Sequence, residues 1–131
     1  MNDHEKMFVD SFVIKAKQDR FRESLIASKR RKKLLSSFDH TSDLRFELAI
    51  KISPDRQRPA EIYSELMGKG AADKCYVISS NSNIDGKELE LMSALEDVVG
   101  YGDGTFLSCI PGKLGYFESG DRGDRVIFEK K

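Results

Sequence analysis

The chain has 131 residues, of which 39% are hydrophobic and 34% are charged. This is enough apolar material for one core inside a well-solvated surface, which argues against disorder of the whole chain. Its 22 Lys and Arg balance its 22 Asp and Glu, and a neutral total disfavours strong non-specific DNA binding. No apolar run approaches the ~20 residues that cross a bilayer, and the first residues lack the features of a secretory signal. We therefore expect one cytoplasmic domain over residues 1–131, with no membrane contact.

The first part of the chain predicts a short apolar segment followed by basic helices. Met7–Ile14 has apolar pairs four residues apart, which permit a helix, and a β-branched and aromatic content that favours a strand; we predict the strand. Gln18–Phe38 is predicted to form two helices, with a break at Ala27 and with Ser28 as the N-cap of the second. The break lets both helices bury their apolar residues: Phe21, Leu25, Leu34, Leu35 and Phe38.

The middle of the chain predicts one strand and one helix. Leu44–Ile52 alternates apolar and other residues, which is typical of a strand covered on one side. Pro59 suits the first turn of a helix that runs to Met67, and Gly68 or Gly70 would end it.

The region 75–129 predicts a β-α-β-β-β core. Pro111-Gly112-Lys113 is too short for a crossover, so the last three strands should form an antiparallel meander. Residues 118–124 are predicted to be the polar loop of the last hairpin. The predicted elements are strands Cys75–Ser79, Thr105–Ile110, Leu114–Glu118 and Arg125–Glu129, and a helix Lys87–Val99.

Together these elements predict an α/β (α+β) fold. The expected architecture is a mixed sheet of five or six strands with the C-terminal meander, and with helices packed on one face. If the other face or an edge strand pairs with a second copy, a homodimer follows.

The basic helical segment 15–38 is the strongest local signal. Nine of residues 15–33 are Lys or Arg, against only Asp19 and Glu23. Such a segment could contact phosphates, which makes it a candidate nucleic-acid surface. The alternative is a solvated helix surface, favoured because five successive charges would point all around a helix and no aromatic residue lies among them for base stacking. The candidate residues are Arg20, Arg22, Lys29, Arg30, Arg31, Lys32 and Lys33.

The signals for catalysis are weak. Cys109 ends a predicted strand and could be a nucleophile if His40 lay beside it, since His4 belongs to a terminus that we expect to be frayed. Alternation instead places Cys109 on the same face as Leu107, which favours a packed thiol. The glycine-rich residues 100–104 follow a helix and precede a strand, the reverse of the order in a phosphate-binding loop. No Cys or His spacing suggests a metal site, and no cofactor is predicted.

The segments Tyr76–Ser79, Asp85–Leu89 and Gly104–Glu118 resemble a group of small bacterial proteins of unknown function. The similarity extends to Phe12–Ile14, to the basic segment and to His40, so it covers most of the chain. The resemblance implies a bacterial cytosolic origin, and it carries no activity, ligand or catalytic residue.

The leading hypothesis is therefore a non-catalytic binding or regulatory module that contacts an unidentified protein partner. The first alternative is a nucleic-acid-binding protein that uses the basic helices of residues 18–38. The second is an enzyme with Cys109 as its nucleophile, which these patterns disfavour.

Overall fold

The computed structural model describes residues 1–120 and 125–131, apart from the side chains of Asp39 and His40. The described residues form five α-helices and six β-strands. The helices are α1 (Asp3–Phe12), α2 (Gln18–Leu25), α3 (Ser28–Ser36), α4 (Pro59–Gly68) and α5 (Leu91–Val98). The strands are β1 (Ala49–Lys51), β2 (Lys74–Ser79), β3 (Glu88–Glu90), β4 (Thr105–Ile110), β5 (Leu114–Glu118) and β6 (Arg125–Glu129). The predicted single α+β fold is confirmed; most of the predicted hairpin loop, residues 121–124, lies outside the described residues.

All six strands belong to one sheet with the order β1-β6-β5-β4-β2-β3. The predicted meander of β4, β5 and β6 is confirmed, but every pair of described strands is antiparallel, so the predicted mixed sheet is wrong. The reason is β3, which occupies the start of the predicted helix Lys87–Val99. Because β3 reverses the chain beside β2 before α5 begins, β4 returns antiparallel to β2.

Helices pack on both faces of the sheet, where we predicted only one. Phe106, Phe117 and Phe128 face a core that includes residues of α1, α2 and α3. Their neighbours along the strands, such as Leu107 and Ile127, face a second core with α4 and α5. The central strands are thus apolar on both sides. Helices on only one face would have left a large apolar surface exposed to water.

Residues 3–12 form helix α1, so the predicted strand at Met7–Ile14 is wrong. Phe8, Val9 and Phe12 are all fully buried, and only helical spacing places these three residues on one side. The Asn2 side chain accepts a hydrogen bond from the Glu5 amide and caps the helix. Helix α1 therefore covers the aromatic face of the sheet.

The predicted strand Leu44–Ile52 is reduced to β1. The backbone near Leu44 pairs with the end of α1 instead of the sheet: the Ile14 amide donates to the Asp43 carbonyl, and the Arg45 amide donates to the Phe12 carbonyl. A 3-10 turn at Phe46–Leu48 then reorients the chain. These long-range backbone contacts override the alternating pattern.

The break between α2 and α3 is confirmed, and so is the burial of the apolar residues predicted for these two helices. The residue that caps α3 is Ala27 and not Ser28, and no side chain makes the capping hydrogen bond. Helix α4 begins at Pro59, as predicted.

Candidate functional site

Helix α3 has a basic exposed face and an apolar buried face. Leu34 and Leu35 are buried against the aromatic core. Four cations are exposed on the other side: Lys29, Arg30, Lys32 and Lys33. At ~100° per residue they occupy an arc of about 160° that does not overlap the buried face. The run of charges therefore does not point all around the helix, which removes one objection to a binding surface.

Arg31 is the exception because its side chain points inward and is only 17% exposed. Its Nε lies 2.8 Å from Asp85 Oδ2, and its Nη2 lies 2.8 Å from Glu5 Oε2. Burial opposes the charged form of this guanidinium, but the hydrogen bonds that it donates to Asp85 and Glu5 outweigh burial and raise the pKa of Arg31 above its ordinary value. Arg31 thus fixes α3 against α1 and the turn after β2.

A polar network continues from Glu5 across the sheet. The Tyr76 hydroxyl donates to Glu5, and burial together with that hydrogen bond raises the pKa of Tyr76 to about 12. The His4 ring stacks on Tyr76 with centroids 5.4 Å apart, and its Nδ1 lies 2.7 Å from Ser108 Oγ. His4 is therefore an ordered part of α1, where we predicted a frayed terminus.

The His4–Ser108 pair has the composition of a base and its nucleophile, but Ser108 is only 1% exposed. A substrate cannot reach a hydroxyl that lies beneath the imidazole. Burial also lowers the pKa of His4, against the opposing effects of Glu88 and Asp3. The pair joins α1 to β4, and we assign it no catalytic role.

Two further candidate residues, on α2, are also used within the chain. Arg22 lies 2.7 Å from Asp10 and 3.1 Å from Asp19. Arg20 lies 3.5 Å from Asp43, with half of its side chain exposed. The structure therefore brings together Lys29, Arg30, Lys32 and Lys33 on one face. It pairs the remaining candidates with carboxylates of the same chain: Arg20, Arg22 and Arg31.

A cavity of about 210 Å³ lies between α2 and α3. Its lining includes Arg20, Arg30 and Lys33, together with Ser24 and Leu34. Because Arg20 already pairs with Asp43, Arg30 and Lys33 are the cations of this lining that could attract an anion.

A second, larger cavity of about 460 Å³ lies at the start of α3. Its floor includes Leu35, and its walls come from α3 and from the turn that follows β2. The residues that line it are Ser28, Arg31, Lys32, Leu35, Ser79, Ser80, Ser82 and Asp85.

Cys109 is a packed thiol. It is 3% exposed in the second core, and its Sγ contacts the Leu107 carbonyl at 3.7 Å. Burial raises the pKa of the Cys109 thiol, so the reactive thiolate is suppressed. The predicted partner His40 has a side chain outside the described part of the structure.

The glycine-rich residues 100–104 surround a buried carboxylate. Glu118 accepts hydrogen bonds from the amides of Gly100 and Gly102, and from the Tyr116 hydroxyl at 2.8 Å. These loop amides thus bind an internal anion, a role that the sequence did not indicate.

Within residues 1–120 and 125–131, no group of three or more His, Cys, Asp or Glu side chains could hold a metal ion. No helix there is long and apolar enough to cross a bilayer.

Comparison of the chain with known protein families, with curated proteins and with solved structures finds no match. The geometry of α3 and its surroundings is therefore the best indication of what this protein binds.

Proposed function

We propose that this protein is a non-catalytic binding module for nucleic acid, and that the exposed basic face of α3 is its contact surface. The main observation behind this proposal is that Arg31 points inward, whereas the other four cations of α3 point into solvent. Lys29, Arg30, Lys32 and Lys33 are exposed and make no ion pair with any other described side chain.

Unpaired cations on a rigid helix suit a phosphate backbone. Each Lys or Arg that neutralises a phosphate releases condensed counterions, which contributes salt-dependent affinity. Arg31 and the buried leucines hold α3 in place, so binding needs to order the four side chains but not the backbone that carries them. The neighbouring cavity beside Arg20 and Arg30 extends the positive surface toward α2.

An acidic protein is the second candidate ligand of the same face. This candidate corresponds to the protein partner that the sequence analysis put first. As part of the same proposal, we expect the protein to act in the cytoplasm of a bacterium. Affinity purification with and without nuclease separates the two ligands. Nucleic acid that is removed by salt supports the proposal, whereas a stoichiometric protein that survives nuclease contradicts it.

The direct experiment is a titration of labelled single-stranded and duplex oligonucleotides, followed by fluorescence anisotropy. We expect the variant K29E/R30E/K32E/K33E to lose affinity by about a hundredfold or more, because four attractive contacts become repulsive. The matched control is K51E/K74E/K113E/K131E, which changes the net charge by the same amount at exposed positions outside α3. Equal losses in the two variants would show that net charge and not the α3 face governs binding.

A further inference from the structure

We propose that the cavity at the start of α3 binds a phosphate monoester, and that in a nucleic acid this group is the terminal phosphate of a strand. This inference rests on the proposed function, because the cavity adjoins the basic face of α3 through Lys32. It adds a specific subsite to a surface that otherwise recognises only charge.

Hydroxyl groups in the cavity walls are free to donate. Ser28, Ser80 and Ser82 line the cavity, and their side chains make no hydrogen bond to another described residue. Ser79 differs, because its hydroxyl lies 2.7 Å from Thr105 Oγ1 and accepts from the Asn81 amide. Three serines from two chain segments therefore line one cavity, and their hydroxyls have no partner among the described residues.

The charge of the walls favours an anion. Lys32 is exposed and has no carboxylate partner among the described side chains. The one carboxylate of the lining, Asp85, already accepts from Arg31 at 2.8 and 3.0 Å and from the Ser79 amide at 3.0 Å. Arg31 shares its single charge between Asp85 and Glu5, so it neutralises Asp85 only in part and adds no free positive charge to the cavity. Lys32 is left to attract an anion.

The backbone of α3 adds to this attraction. Helix α3 has nine residues and begins at Ser28, and no side chain caps its first amides. Amides at a helix start carry a partial positive charge and need acceptors. The first turn is therefore a further source of donors beside the hydroxyls and Lys32.

These donors fit a terminal phosphate better than an internal one. A phosphate monoester has three non-bridging oxygens, whereas an internal phosphodiester has two. The cavity offers three hydroxyls and an ammonium group as donors. Its volume of about 460 Å³ lies within the ~300–1,000 Å³ typical of small-ligand sites, so it can hold a terminal nucleotide. A strand that starts in the cavity can continue along the basic face, since Lys32 belongs to both.

The test compares oligonucleotides of one sequence with a 5′-phosphate, a 3′-phosphate or only hydroxyl ends. We expect the wild-type protein to prefer one phosphorylated end by about tenfold, as hydrogen bonds to a charged group allow. S80A/S82A should lose this preference while its affinity for the hydroxyl-ended strand stays unchanged. S64A/S93A removes two exposed hydroxyls from α4 and α5 and should keep the preference.

A second arm titrates AMP and inorganic phosphate into the full chain and follows amide chemical shifts in NMR spectra. Binding of AMP that S80A/S82A abolishes, without any end preference, would support the site and identify a free phosphorylated small molecule as its ligand. If neither AMP, inorganic phosphate nor a phosphorylated end is recognised by the wild-type protein, the inference is wrong.

The two proposals fail in distinguishable ways. Wild-type protein that binds hydroxyl-ended strands through α3 but ignores terminal phosphates contradicts only the subsite. Wild-type protein that binds no strand at all contradicts the proposed function, and AMP binding then decides the subsite alone. Circular dichroism of each variant verifies that the serine substitutions leave the fold intact.

Discussion

Arg31 differs from the four cations around it because its guanidinium lies between two carboxylates. Glu5 is 5% exposed, and the Asp85 side chain is 15% exposed. Two carboxylates of this kind need a cation, since a buried charge without a partner is costly. Arg31 is therefore a structural residue, whereas the four basic residues around it on α3 face solvent.

Replacing Arg31 by Met should destabilise the protein by about 3–5 kcal/mol, because Glu5 and Asp85 would stay buried without their cation. Chemical denaturation followed by circular dichroism measures the free energy of unfolding. K32M, one residue away on the exposed face, should change it by no more than about 0.5 kcal/mol. Equal effects of the two substitutions would contradict the inward placement of Arg31.

The two cysteines should be inert in the folded protein. Burial raises the pKa of Cys75 to about 12, with a smaller contribution from Glu88, and burial also raises the pKa of Cys109. A thiol reacts as its thiolate, so at pH 8 the labelling rate should fall at least about a thousandfold below that of a free cysteine. Thiol-specific reagents with and without denaturant provide the measurement. Rapid labelling of Cys109 in the folded protein would revive the hypothesis of a nucleophile.

Helix α1 connects the core that contains the phenylalanines to the polar network around Glu5. Its inner face contributes Phe8, whose ring lies 4.6 Å from that of Phe106 and 6.2 Å from that of Phe38. The same helix supplies His4 and Glu5 to the network. Helix α1 therefore positions Arg31, and through it the exposed face of α3.

Phe8→Ala should cost about 3–5 kcal/mol, as expected for a fully buried aromatic side chain. Met7, its neighbour, is 40% exposed, and Met7→Ala should cost no more than about 1 kcal/mol. Urea denaturation of both variants tests which side of α1 is buried. If Met7→Ala proved as costly as Phe8→Ala, the face that α1 buries would be assigned wrongly.

The elements that the sequence predicts well are those with local signals. Pro111–Lys113 is too short for anything but a hairpin, so the meander follows directly. The break at Ala27 follows from apolar residues that one helix could not bury together. The structures of residues 44–52 and of α1 depend instead on contacts between distant segments. The Ile14 amide donates to the Asp43 carbonyl, and the Arg45 amide donates to the Phe12 carbonyl. Periodicity within one segment cannot anticipate such contacts.

The candidate site was predictable in part for the same reason. The basic residues of α3 are evident in the sequence, and so is the apolar pair that orients the helix. The inward direction of Arg31 depends on Glu5 and Asp85, which are 26 and 54 residues away along the chain. The sequence gives no local indication of that pairing, nor of the serines that meet Ser28 across the cavity.

Over the whole molecule, basic and acidic residues are equal in number but unevenly distributed along the chain. Residues 1–33 contain ten Lys and Arg against five Asp and Glu, whereas residues 34–131 contain twelve against seventeen. Part of the N-terminal excess is neutralised internally by Asp85 and Asp43. The rest is concentrated on α3, which gives a neutral protein one strongly positive face.

The salt dependence of nucleic-acid binding measures how many phosphates the basic face of α3 contacts. The logarithm of the binding constant should fall linearly with the logarithm of salt concentration, with a slope of about −2 to −4 for three or four contacts to phosphates. The variant K29A/R30A/K32A/K33A should bring that slope close to zero, whereas K51A/K74A/K113A/K131A should leave it unchanged. A slope that is the same for the wild-type protein and for the α3 variant would show that α3 is not the surface that binds nucleic acid.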